Sequence, residues 1–208
     1  MQALQFGAVR VYLGEKSGKY PDGNQVIVQG ADARVAFDTP QVARHIGPEL
    51  DDVDAIILGH VHEDHMVALG RLRRATVQVH EGDLAAAQSW AGLGRHYGYP
   101  DAVLAQMKPM IERDFDYAPR PDATGYTDGA LWELGGGVRV RAHHLPGHTA
   151  GHSALVVESE VRKVIVSVAL PARDSDGDIL LIKDLADETD SSIVALLRDP
   201  TAKGTFLG

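Results

Sequence analysis

The chain contains no cysteine. Disulfides and thiolate ligands are therefore excluded, and any metal must be held by His, Asp, Glu or water. No apolar run approaches the ~20 residues needed to cross a bilayer, so no membrane-spanning segment is expected. Met1 to Arg10 lacks a charged start followed by a long apolar run, so no signal peptide is expected, and the default location is cytoplasmic. Positive charge is also scarce: Lys plus Arg number 20 against 29 Asp plus Glu, a net charge of −9. That balance argues against a nucleic-acid or anionic-membrane partner, since both need basic patches. A small-molecule substrate is the expected partner, and the oligomeric state is left open.

What is present points elsewhere. A chain of 208 residues with 44% hydrophobic content suits one compact domain over 1–208. It carries ten histidines. The densest group is Gly59-His60-Val61-His62-Glu63-Asp64-His65, which follows an apolar run. His60 and His62 are two residues apart, so in an extended loop their rings leave the same side of the backbone. Asp64 and His65 are adjacent and can turn toward a second point nearby. Imidazole nitrogen and carboxylate oxygen are ligands that zinc and similar ions accept. The competing reading, a solvated histidine-rich turn, does not account for the ligand-like spacing.

The pattern His60-x-His62-x-Asp64-His65 resembles the signature of the metallo-β-lactamase-fold hydrolases. A later segment, Leu145-Pro146-Gly147-His148-Thr149-Ala150-Gly151-His152-Ser153, resembles that family's Pro-Gly-His-Thr-x-Gly-His block. The resemblance runs from about residue 5 to 170. It implies an α/β fold, a four-layer αββα sandwich of two similar halves. It also implies that His60, His62 and His148 form a first metal site, with Asp64 and His65 belonging to a second. The implied cofactor is Zn2+, one or two ions, with manganese or iron as alternatives. The implied activity is hydrolysis of an electrophilic carbonyl (lactone, thioester, ester or β-lactam) by a metal-activated water, with Asp64 as the catalytic carboxylate.

Periodicity alone supports mixed α and β. Gln5 to Leu13 reads as one strand, Gln25 to Gln29 and Arg34 to Phe37 as a hairpin, and Val53 to Leu58 as a buried strand. Asp38 closes the second hairpin strand. It is either a turn cap or, as the resemblance implies, a buttress of the metal loop. Gln41 to Gly47 reads as a short helix ended by Gly47-Pro48, and Asp64 to Arg74 as a longer helix with apolar Met66, Val67, Leu69 and Leu72. A helical insertion at about 83–115 opens with Asp83 as its cap and contains Pro109, which should kink or interrupt it. Trp90, His96, Tyr97 and Tyr99 are either pocket walls or packing residues. Thr127 to Ala130 reads as a hairpin-type turn, and Gly135-Gly136-Gly137 as a tight turn between strands Leu131–Leu134 and Val138–Arg141. Ala154 to Val157 and Lys163 to Leu170 read as strands, and Asp184 to Leu197 holds a helix. His152 reads as structural, and neither His143 nor His144 is needed as a ligand.

Two departures from the family pattern stand out. The family places Gly-Asp after the strand Lys163 to Ser167, its carboxylate bridging two metals; here the residues are Val168-Ala169. The acidic run Asp174-Ser175-Asp176-Gly177-Asp178 follows, and reads as an exposed turn. The family's last histidine ligand would come just after Gly208, so the fold is expected to lack its C-terminal end. These departures motivate an alternative: a degenerate metal-binding member with little or no catalysis. An iron-dependent dioxygenase on the same fold is disfavoured, because it would use the absent Asp.

Overall fold

The computed structural model describes residues 1–15, 20–159 and the backbone of 163–166. The expected first strand is two strands. Gly7 takes φ +61° and lets the chain reverse, so β1 (Ala3–Phe6) pairs antiparallel with β2 (Val9–Tyr12). The chain continues antiparallel through β3 (Gln25–Gln29) and β4 (Arg34–Phe37). Three parallel strands follow: β5 (Ala55–Leu58), β6 (Thr76–His80) and β7 (Thr124–Tyr126). These seven form one sheet in sequence order. A second, antiparallel sheet has the order β11-β10-β9-β8, from β8 (Leu131–Gly135), β9 (Val138–His144), β10 (Ser153–Glu158) and β11 (Lys163–Val166).

The alternation of side chains decides the layers. In β5, Ile56 and Leu58 join one core, while Ala55 and Ile57 join another. The second core lies between the sheets: Val26, Val28, Val35 and Phe37 meet Leu134, Val140, Leu155 and Val157. The first lies outside the seven-stranded sheet, beneath Leu50, Leu69, Ala87, Leu93 and Ile111. A strand buried on both faces reads as a continuous apolar run, which is why Val53 to Leu58 was legible. Each fully buried Ile or Leu there contributes about 1.5–3 kcal/mol. The described residues thus supply three layers: helices, sheet and sheet. The expected helix at 184–197, and the strand residues from 167 onward, lie outside the described residues.

Four local expectations are corrected. Gln41–His45 is a 3-10 turn, and Pro48 opens helix α1 (Pro48–Asp51) rather than ending a helix; its fixed φ and missing N–H suit a first helical position. No helix runs from Asp64 to Arg74. A 3-10 turn at Glu63–His65 gives way to successive turns. The backbone there is engaged elsewhere: Thr39 N–H donates to His65 O at 2.9 Å, and Thr39 bridges Met66. Met66, Val67, Ala68, Leu69 and Leu72 are all buried while Arg71, Arg73 and Arg74 are exposed, so the apolar and charged sides that suggest an amphipathic helix are present but are carried by turns. Arg71 donates to Ala43 O and Ile46 O and so ties this segment to the 3-10 turn. Thr127–Ala130 does not join a hairpin; it carries the chain from β7 in one sheet to β8 in the other. Pro109 does not interrupt the helix; it lies inside α4, which runs from Asp101 to Asp114, at an exposed position.

The segment expected to be a helical insertion forms α2 (Leu84–Gln88), α3 (Trp90–Tyr97) and α4 (Asp101–Asp114). Ser89 caps α3 by accepting from Gly92 N–H at 3.0 Å, and Gly98, at φ +68°, ends it.

Candidate metal centre

The site lies where parallel strands end. β4 feeds Asp38, β5 feeds Gly59 to His65, and β6 feeds His80 to Asp83. The loop between β9 and β10 arrives from the other sheet with His148 and His152. Ligand sites in α/β sheets favour these carboxyl ends. Two bonds hold the junction: Ser153 N–H donates to Gly59 O at 2.8 Å, and Tyr126 Oη donates to Leu58 O at 2.8 Å.

His60, His62 and His148 come together, with one ring nitrogen from each lying within 4.8 Å of the others. Their ring centroids are 5.0 Å (His60–His62), 4.8 Å (His60–His148) and 4.7 Å (His62–His148) apart, all edge-on. His60 is only 1% exposed, and neither of its ring nitrogens has a hydrogen-bond partner. Burial lowers the pKa of His60 well below the ordinary value, and the neighbouring imidazoles add to this. Burial, then His148 and His96, lower His62 to about 4. Burial, then His152, lower His148. Three neutral imidazoles with free lone pairs are the donor set for a divalent ion, and they leave a fourth tetrahedral position open. The residues therefore fit a metal such as zinc. Among the described residues this is the only group of three such donors so placed.

Asp64 and His65 stand beside it. His65 Nε2 is 3.5 Å from Asp64 Oδ2, and its ring centroid is 4.0 Å from that of His60. His65 Nδ1 is 3.2 Å from Asp38 Oδ2. Burial works to lower the His65 pKa, but the charge and hydrogen bond of Asp38, helped by Asp64, outweigh it and the value rises. Burial raises Asp64, against the pull of His65. Ala169, the acidic run at 174–178 and the chain end lie outside the described residues.

Asp38 has φ +52°, a strained conformation for a residue with a side chain. Besides meeting His65, its carboxylate accepts Gly59 N–H at 2.9 Å. Gln25, fully buried, donates to Phe37 O and Asp38 O and holds the strand end in place. Asp83 is the residue that sequence reasoning misplaced. It stands at the α2 cap position but makes no side-chain cap bond. It is 1% exposed, and its carboxylate accepts Val61 N–H at 3.1 Å, Thr149 Oγ1–H at 2.6 Å and Gly151 N–H at 2.7 Å. An Asp before a helix looks like a cap from sequence, and no local signal distinguishes this case.

His152 stays outside the three-donor group. Its Nδ1 is 3.0 Å from Leu145 O, its Nε2 has no partner, and burial lowers its pKa. His144 stacks on His80 at 3.9 Å, and His143 pairs with Ala154 across the strands. Of the aromatic candidates, Trp90 packs on Tyr117 in the core. His96 and Tyr97 face the cluster: His96 lies 5.4 Å from His62, and Tyr97 stacks on His62 at 5.8 Å while its hydroxyl donates to Glu63. Tyr99 stacks on Tyr97 and is half exposed. A cavity of about 430 Å³ opens beyond Glu63, between Tyr20 and the α4 side chains Met107, Met110 and Ile111, with Phe115.

Comparison with known proteins bears on the family and the fold. The sequence pattern of the metallo-beta-lactamase superfamily matches residues 30–167. The structure is similar to the FEZ-1 metallo-beta-lactamase of Legionella gormanii, with a TM-score of 0.60, 16% identity and coverage of 91% of this chain and 72% of that one. It is also similar to the GOB-18 metallo-beta-lactamase of Elizabethkingia meningoseptica, with a TM-score of 0.59, 16% identity and coverage of 96% and 73%. A third similar structure is an archaeal metallo-beta-lactamase superfamily protein from Sulfolobus tokodaii, with a TM-score of 0.55, 19% identity and coverage of 86% and 74%. A sequence search of curated proteins gave no match. No described helix is long and apolar enough to cross a membrane.

Proposed function

Because the chain belongs to the metallo-beta-lactamase superfamily, we propose that it is a metal-dependent hydrolase acting on an electrophilic carbonyl. The observation that carries this reading is the gathering of His60, His62 and His148 around one point, with both nitrogens of buried His60 left free. Those three residues would hold the ion, with zinc the expected metal. A bound divalent ion supplies Lewis acidity, lowering the pKa of water and polarising a carbonyl.

The chain's own residues then divide the work. Asp64, partly exposed beside the cluster, orients the attacking water or takes its proton. His65, held by Asp38, fixes the Asp64 side of the site. Tyr97 and Glu63 hold the His62 ring from the insertion side. The substrate class is a lactone, thioester, ester or β-lactam. The similar solved structures include metallo-beta-lactamases, which makes a β-lactam one natural member of the panel.

A second reading, a metal-binding member with little or no catalysis, is favoured by Ala169, a residue with no donor atom where the family pattern has Asp. A panel of chromogenic esters, thioesters, lactones and β-lactams, assayed with added zinc, separates the two. Chelator-sensitive turnover of any one class supports the hydrolase. Absence of turnover across the panel in a zinc-loaded protein supports the binding protein.

A further inference from the structure

We infer that Asp83 is a positioning residue that couples the two metal-binding loops, setting His148 against His60 and His62 before any ion arrives. The inference rests on the metal-binding reading of the three histidines. It does not depend on which reaction the site performs.

The two loops come from different sheets, and no strand pairing sets their relative position. Asp83 bridges them. Its Oδ2 accepts from Val61 N–H, between the two ligands of the first loop, and from Thr149 Oγ1–H, next to the ligand of the second. Its Oδ1 accepts Gly151 N–H. The carboxylate is buried, so each of these bonds is stronger than its solvated counterpart and costly to leave unmade.

Backbone packing around the carboxylate carries the same message. A Cβ at Gly151 would lie 2.7 Å from Asp83 Cγ, and a Cβ at Gly82 would lie 2.8 Å from Ala150 O. Both glycines are therefore needed for the β6 loop and the His148 loop to approach this closely. A residue that served only as a helix cap would show a bond to the first turn of α2, and Asp83 shows none. An acceptor that satisfies donors from both ligand loops fixes ring directions through the backbone, the role that groups behind metal ligands commonly play.

The chemistry specifies the variants. In Asp83→Asn the amide nitrogen cannot accept, so at least one loop loses its bond. Thr149→Val removes only the hydroxyl bond, and Thr149→Ser keeps it. Zinc affinity is measured by competition with a chromogenic chelator on the whole chain, alongside amide hydrogen exchange at Val61 and Gly151 in the metal-free protein. The expected result is a 10–100-fold loss of zinc affinity in Asp83→Asn, a smaller loss in Thr149→Val and near wild-type binding in Thr149→Ser. Val61 exchange should rise in Thr149→Val although that substitution lies in the other loop. The cobalt-loaded variants should show altered visible bands. Should Asp83→Asn fail to fold, the Thr149 pair decides. Wild-type zinc affinity and unchanged Val61 exchange in Thr149→Val would overturn the coupling. A wild-type chain that takes up no zinc would overturn the metal-binding reading itself, and this inference with it.

Discussion

His60 and Asp83 are equally buried, at 1% exposure, and serve the same small volume, yet they are bonded in opposite ways. Both His60 nitrogens lack a partner, whereas both Asp83 oxygens have one. Asp38 resembles Asp83: one oxygen takes Gly59 N–H and the other meets His65. A buried polar atom without a partner costs about 1–3 kcal/mol, so its persistence calls for a reason. On the proposed reading, the imidazoles are held ready for a metal ion, and the carboxylates hold the loops that present them. Burial, then, does not by itself mark a functional donor. Unfilled bonding capacity does so only beside other donors: His152 Nε2 and Gln25 Oε1 are also buried without a partner but lie outside the three-histidine group.

The largest expected effect would break this division outright. Replacing His60 and His62 together with Ala should abolish zinc retention and all hydrolysis, measured by elemental analysis and by turnover. Full turnover in that variant would sink the reading. Next is Asp64→Asn, expected to lower kcat by ~10²–10⁴-fold while zinc at the three-histidine site is retained, since it removes a proton acceptor rather than one of those donors. Loss of the ion in Asp64→Asn would move Asp64 from the catalytic role to the donor set.

A brace should respond differently from a donor. Asp38→Ala removes two bonds and places a residue less tolerant of positive φ at φ +52°, so a loss of about 3 kcal/mol in folding stability is expected. Asp38→Asn, which can still accept Gly59 N–H and tolerates that conformation, should lose less. Denaturant melts of the metal-free proteins give the comparison; equal losses would mean that the Gly59 bond and the backbone conformation contribute little and that the pairing with His65 carries the effect.

Acid should act on the donors first. The folded-state pKa values of His60, His62, His148 and His152 lie below 6.5, that of His62 at about 4. Between these values the unfolded chain binds protons that the fold refuses, so stability is lost as pH falls from about 6.5 toward 4. His65 runs the other way: its pKa is raised, so its contribution is present below 6.5 and fades as pH climbs through the raised value. His80 is lowered too, and the raised Asp64 runs with His65; the five lowered imidazoles outweigh these two groups, and the metal-free protein should melt at a lower temperature at pH 5 than at pH 7. The smallest effect is expected from Tyr97→Phe, which keeps the ring on His62 and loses only the bond to Glu63, about 1 kcal/mol of stability.

Of the three grouped histidines, His60 and His62 stood out by their spacing, and His148 through the resemblance of its motif to a known family. The buried strands were legible because apolar runs such as Val53 to Leu58 have one economical fate. What was not legible depends on distant partners. Met66, Val67, Leu69 and Leu72 imitate a helical stripe, yet Thr39 claims the backbone beside them. Asp83 imitates a helix cap until Thr149 and Gly151 arrive from the other sheet. The same holds for Trp90 and Tyr97: both pack against one core, yet only the packed structure sends Tyr97 onto His62 and Trp90 onto Tyr117.

The most direct test of the account is metal content per chain after purification with zinc, measured on the wild type and on His60→Ala/His62→Ala. The account predicts at least one tightly held equivalent in the wild type and its loss in the double variant. A wild type that retains no ion, or a double variant that keeps the first, would contradict it.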